Sequence, residues 1–203
     1  MFDASGNLIH FTIVKTTDAA AEPLTAAELK TALKIDVSTD DTLIEAYIKA
    51  ARQTVEFATR RALINTTYTM TLDSAPTGRG AILLPVAPVS SVTSLKSYAT
   101  DDTESTVSSS VYRLDASSIP ARLVLKDGQS WPTGLRPQNA LQVIFVAGYG
   151  AASSNITDTG LIQAVRLLAT HWYEQREPVA DGDMKEVPMA YQSLINPLVV
   201  PWL

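Results

Sequence analysis

His171 and Glu174 stand three residues apart where a helical pattern ends, so an imidazole and a carboxylate share one helix face. That spacing suits two ligands of a metal. A metal site needs at least one more ligand, and no spacing in the chain supplies it. His10 is the only other histidine, and the chain has no Gly-x-Ser-x-Gly elbow for a serine nucleophile. The plain alternative is a helix-flank histidine bonded to backbone. Gly148-Tyr149-Gly150 invites a phosphate-loop reading. It lacks the third glycine of a dinucleotide fingerprint and the Lys-Ser/Thr of a P-loop, so it reads as a turn leaving a strand. Asp101, Asp102 and Glu104 lack calcium-loop spacing and its glycine, and read as solvated. Arg60-Arg61 is too short for a nucleic-acid patch and fits the cationic last turn of a helix. No cysteine is present, which removes disulfides, thiolate metal sites and cysteine nucleophiles. The residues therefore point to no enzyme, no cofactor and no metal.

The elements that would hold these groups read as helices, then strands, then helices. The 203 residues suffice for one core or one core with an inserted lobe. Hydrophobic content of 46% and charged content of 18% describe a globular chain. A net charge of −5 argues against a dedicated nucleic-acid binder. No apolar run reaches the roughly 18 residues of a membrane span, and no signal pattern opens the chain. A strand is expected near Leu8–Val14. Thr25 and Glu28 form a capping box for a short helix ending near Lys34. A long helix follows from Ser38–Asp41 to about Arg61, its apolar stripe made of Leu43, Ile44, Tyr47, Ile48, Ala51, Val55 and Ala58. Glu45–Lys49 and Glu56–Arg60 are i,i+4 pairs along it.

From Asn65 the period becomes two, with Tyr68, Met70 and Leu72 alternating with threonines. Further strands are expected at 81–84, 89–98, 111–115, 122–126 and 140–147. Turn residues separate them and no helical pattern intervenes, so the sheet should be antiparallel. Residues 100–110, rich in Ser and Thr, read as a hairpin tip or mobile loop. The helical period returns near Thr159. Leu161, Val165, Leu168 and Trp172 form one row with Tyr173 beside it, ready to pack on Tyr47 and Ile48. The predicted fold class is α+β: a helical core of two long helices plus short ones, with an inserted antiparallel β-rich lobe. Its divisions are 1–64, with the N-terminal strand and the first part of the core; 65–154, the insertion; and 155–203, the rest of the core and an apolar tail.

Two stretches read as surfaces for a partner. Glu174, Arg176 and Glu177 make a wet charged turn before Pro178 stops the helix. A short helix, Met189–Ile195, precedes a tail with Leu198, Val199, Val200, Trp202 and Leu203 and no charge. Free termini are usually polar, so this tail should be buried, on another chain or on its own fold.

Several pieces in order resemble a known family. They are Glu22-Pro23-Leu24-Thr25 with Glu28-Leu29-Lys30, then Arg60-Arg61-Ala62-Leu63-Ile64, then Leu83-Leu84-Pro85 with Pro88-Val89-Ser90-Ser91-Val92. Gly128-Gln129-Ser130-Trp131-Pro132, Phe145-Val146-Ala147-Gly148-Tyr149-Gly150 and His171-Trp172-Tyr173-Glu174 with Arg176-Glu177 complete the set. Across roughly residues 20–180 the chain resembles the head–tail connector, or adaptor, proteins of long-tailed bacteriophages, prophages and gene-transfer particles. The resemblance implies a non-enzymatic virion protein, made in the host cytoplasm. It implies a ring, commonly of twelve copies, bound beneath the portal at the head–tail junction. Such a ring extends the DNA channel and seats the next neck or tail protein, a stopper or tail terminator, while DNA passes without specific binding. The alternatives are another neck ring component, such as a stopper or completion protein, and a small hydrolase using His171.

Overall fold

The computed structural model describes residues 9–36, 38–175 and 189–201. They divide into two units. One holds Ala19–Ile64 and Tyr149–Val199; the other holds the described residues up to Asp18, Asn65–Gly148 and the chain from Val200.

The first unit is helical. Helix α1, Ala26–Leu33, starts where the Thr25 side chain takes the Glu28 N–H and the Glu28 carboxylate takes the Thr25 N–H, at 3.2 and 2.7 Å. It ends at Lys34 in the left-handed conformation, with the Lys34 N–H turned back to the carbonyls of Lys30 and Thr31. Helix α2, Asp41–Thr59, follows Asp40, whose carboxylate makes no cap bond and instead accepts from the Tyr173 hydroxyl at 2.7 Å. Helix α2 stops at Arg60, again left-handed. Helix α3 spans Thr159–Glu174 and α4 spans Met189–Ile195. Ile44, Ile48, Ala51 and Val55 of α2 share a buried cluster with Leu161, Ala164, Val165 and Leu168 of α3, and Tyr191 and Ile195 of α4 join it. Tyr47, Trp172 and Tyr173 are half-buried against the same cluster. Leu43, expected on the core stripe, is exposed instead. A helix turns about 100° per residue, which carries Leu43 off the face that Ile44 commits to the core.

The second unit is all strand. A five-stranded sheet has the order β1 (Phe11–Lys15), β2 (Thr66–Leu72), β8 (Leu141–Ala147), β4 (Val89–Tyr98), β5 (Glu104–Thr106), every pairing antiparallel. A three-stranded sheet has the order β3 (Ile82–Leu84), β7 (Ala121–Leu125), β6 (Tyr112–Asp115), also antiparallel. Strand β2 buries every second residue, which is the period read from its sequence. Tyr68 and Phe145, paired across β2 and β8, stack with ring centroids 5.7 Å apart. The chain is thus α+β with antiparallel sheets.

Three boundaries differ from expectation. Strand β1 pairs with β2 from Phe11↔Leu72 to Lys15↔Tyr68, so the described residues before Ala19 belong with the sheet and not with the helical core. Polar residues 100–110 contain β5, which pairs with β4 through its backbone although its three side chains are all exposed. The sheet unit ends at Gly148 rather than near residue 154, because the Tyr149 side chain is held inside the helical unit.

Candidate interaction surfaces

Among the described residues of the helical unit, two polar assemblies and an aromatic contact stand out. The deepest is centred on Arg52, whose side chain has no exposed area. Its Nε and Nη2 donate to the two carboxylate oxygens of Glu22 at 2.7 and 3.1 Å, and Nη1 donates to Glu56 at 2.9 Å. The second Glu56 oxygen accepts the Leu63 N–H at 3.0 Å. One guanidinium therefore ties the segment before α1 and the turn after α2 to the middle of α2. Its donors are matched to carboxylates, as a buried charge requires. Sequence reasoning missed this assembly. The Arg52–Glu56 spacing was a visible i,i+4 signal, but Glu22 lies 30 residues away and no local pattern points to it.

The second assembly joins Arg61, Tyr149 and Asp158. Arg61 Nε donates to the Leu198 carbonyl at 2.7 Å, and Nη1 donates to the Tyr149 hydroxyl at 2.9 Å. The Tyr149 hydroxyl donates to Asp158, and Arg61 lies 3.8 Å from that carboxylate. Burial and the bond to Asp158 push the Tyr149 phenol up to about 12. Arg61, expected to serve only the charge of a helix end, is thus the residue that holds the start of the tail.

Leu161, Val165, Leu168 and Ile48 lie in the buried cluster. Trp172 meets Tyr47 with ring centroids 6.5 Å apart, and Tyr173 reaches Asp40. Glu174 is exposed, while Arg176 and Glu177 lie outside the described residues. Of the tail, Leu198 packs on the helical cluster, Val200 is buried and Val199 is exposed; Trp202 and Leu203 lie outside the described residues. The tail, expected to be buried on another chain or on its own fold, is covered by its own chain in part at Leu198 and fully at Val200. The bond from Arg61 to the Leu198 carbonyl turns the chain inward there.

His171 offers its carbonyl to the Gln175 N–H at the end of α3. Among the described residues no group of three or more His, Cys, Asp or Glu is placed to hold a metal. Gly148-Tyr149-Gly150 is a turn. The Gly148 N–H goes to Pro88, and a Cβ at Gly150 would lie 2.4 Å from the Asn155 side chain. Helix α3 begins nine residues later, so the turn does not present a helix N-terminus to a phosphate. The acidic residues are separately engaged. Asp101 accepts the Thr103 N–H, Asp102 meets Arg136 at 3.0 Å and Glu104 meets Lys96 at 2.7 Å. The bonds from Lys96 and Tyr98 hold the Glu104 carboxyl below its ordinary value. Arg136 also lies over the Tyr98 ring, 4.2 Å from its centroid.

The family model of phage gp6-like head–tail connector proteins matches residues 24–124. Among the solved structures that match are three with 26% identity, covering 95% of this chain and 97% of theirs. They are a chain in the neck of an empty gene transfer agent particle computed with C6 symmetry, at a TM-score of 0.76; one in the virion of a native gene transfer agent particle, at 0.77; and one in the neck of a native particle computed with C12 symmetry, at 0.75. No curated protein sequence matches the chain.

Proposed function

Because the chain belongs to the phage head–tail connector family, we propose that it is an adaptor of the virion neck, assembled as a ring of twelve copies beneath the portal. The observation that carries this reading is the match to particle-neck chains along nearly the whole length of both partners. The ring extends the DNA channel and seats the next neck or tail protein. Its work is structural. The strong polar assemblies all join one part of the chain to another, as a subunit under mechanical load needs. A net charge of −5 suits a conduit, since like charges keep DNA from adhering as it slides.

Imaging of intact particles tests the reading. The expected density is a closed ring on the particle axis, one side against the portal and the other against the next neck component. A single copy off the axis, or a ring with no portal contact, overturns the adaptor assignment. The second of these outcomes leaves a stopper or completion protein.

A further inference from the structure

Among the described residues the chain passes between its two units after Asp18, Ile64, Gly148 and Val199. Three of those passages leave from residues that are bonded to one another. Arg61 lies shortly before Ile64, Tyr149 directly follows Gly148, and Leu198 directly precedes Val199. The Arg61 guanidinium donates to the Tyr149 hydroxyl at 2.9 Å and to the Leu198 carbonyl at 2.7 Å. The Tyr149 N–H also reaches the Leu63 carbonyl, at 3.4 Å. All of these groups lie within the helical unit. Asp158 completes the set. It stands at the N-cap of α3 yet makes no side-chain cap bond, and its carboxylate takes the Tyr149 hydroxyl instead.

We propose that Arg61, Tyr149 and Asp158 form a clasp that couples the tail to the other two passages, so that release of the chain at Leu198 loosens it at Ile64 and Gly148. The shape of the guanidinium is the reason. Its N–H groups lie in one rigid plane, so Nε and Nη1 cannot turn independently. Setting Nη1 on the Tyr149 hydroxyl aims Nε, and Nε is the donor to the Leu198 carbonyl. The phenol is set in turn by Asp158, because its one proton goes to that carboxylate and leaves its lone pairs for Arg61. The Arg61 side chain is only 12% exposed, so water is a poor substitute for a lost partner. Removing one member therefore costs the alignment of the others, as in any network that shares a rigid group. Such coupling is reciprocal. Freeing the tail loosens both ends of the stretch Asn65–Gly148, and loosening either end frees the tail.

The chain has no cysteine, so one introduced thiol reports the opening of one site by its rate of alkylation. Ala62→Cys, Ala147→Cys and Val200→Cys place it beside the three passages, at positions no more than 1% exposed; Ala51→Cys, within α2, is the reference. Tyr149→Phe keeps the ring and removes the hydroxyl. In that background alkylation at all three passage sites of the full-length chain should rise about tenfold or more, as for loss of one hydrogen bond to a charged group. The Ala51→Cys rate should stay near its value in the parent. Arg61→Lys keeps the charge without the planar fork and should give the same pattern. Hydrogen exchange of the cysteine-free Tyr149→Phe chain reads the same openings should a thiol disturb its site. A rise at Ala147→Cys alone shows separate bonds and overturns the clasp. An equal rise at Ala51→Cys overturns it too, because the whole unit has then loosened. Parental rates throughout in Arg61→Lys mean that charge suffices without the fork, which also overturns it.

Discussion

Cations and carboxylates are paired in two different surroundings in this chain, and the two assemblies teach different things. Arg52, Glu22 and Glu56 are joined inside the helical unit with the guanidinium wholly out of water. Lys96, Glu104 and Tyr98, with Arg136 and Asp102, are joined at the end of the five-stranded sheet, where Glu104 and Asp102 remain exposed. The bond lengths are alike, between 2.7 and 3.1 Å. What differs is what each group loses when its partner is removed. Water replaces a lost partner at the sheet end; nothing replaces it around Arg52.

The largest expected effect follows from that asymmetry. Arg52→Ala leaves Glu56 buried without its cation, and breaking a buried pair in this way costs about 3–5 kcal/mol. Denaturant unfolding followed by near-UV circular dichroism reads the loss. Combining Arg52→Met with Glu56→Gln removes both charges while keeping an acceptor for the Leu63 N–H. The double variant should recover much of the loss, because the uncompensated charge is the main cost. A double variant as unstable as Arg52→Ala would show that packing, not charge, sets the penalty.

Arg61 is an intermediate case, half enclosed and bonded to one neutral carbonyl and one hydroxyl. Arg61→Met should cost about 1.5–3 kcal/mol, the range for hydrogen bonds to a charged group. Hydrogen exchange should rise first in α4 and the residues around Leu198. Uniform loss of protection across the helical unit would remove Arg61 from its role as the holder of the tail.

Much of the scaffold around these assemblies was legible in the sequence, and the exceptions have physical causes. The capping box of Thr25 and Glu28, the alternation of β2 and the row Leu161–Val165–Leu168 are local patterns, and each produced the element it announced. Strand β5 gave no signal because all three of its side chains face water, so no period could show. Strand β1 was visible as a strand, but its partner lay some 50 residues away across both first helices, so its unit was not. Separations of 30 and 137 residues likewise hid Glu22 from Arg52 and Leu198 from Arg61. A pair separated by 137 residues leaves no trace in spacing.

Alkaline pH probes the Arg61 assembly through Tyr149, more gently. The Tyr149 phenol is raised from 10.0 to about 12, so the folded chain holds its proton where the unfolded chain releases it. The sign follows. The contribution is fully present below pH 10 and is lost as pH rises from 10 towards 12. Unfolding measured across that window should decline for the wild type, and Tyr149→Phe should decline less. An identical decline in both would place the alkaline sensitivity in another group.

The smallest effect belongs to the sheet-end assembly, and its smallness is the informative part. Glu104 is fully exposed, and its carboxyl is lowered by Lys96 first and Tyr98 second. A lowered carboxyl contributes stability above its unfolded value of 4.5, lost as pH falls through the folded value beneath it. At neutral pH Glu104→Gln therefore removes an interaction that is present but cheap to replace, since water solvates the freed Lys96. The unfolding midpoint should sit slightly below the wild type in low salt. The two should coincide once salt shortens the screening length to about 8 Å. A salt-independent drop approaching that of Arg52→Ala would mean that the hairpin of β4 and β5 depends on its side-chain assembly as strongly as the helical unit depends on Arg52. In that outcome burial would no longer explain why one assembly outweighs the other.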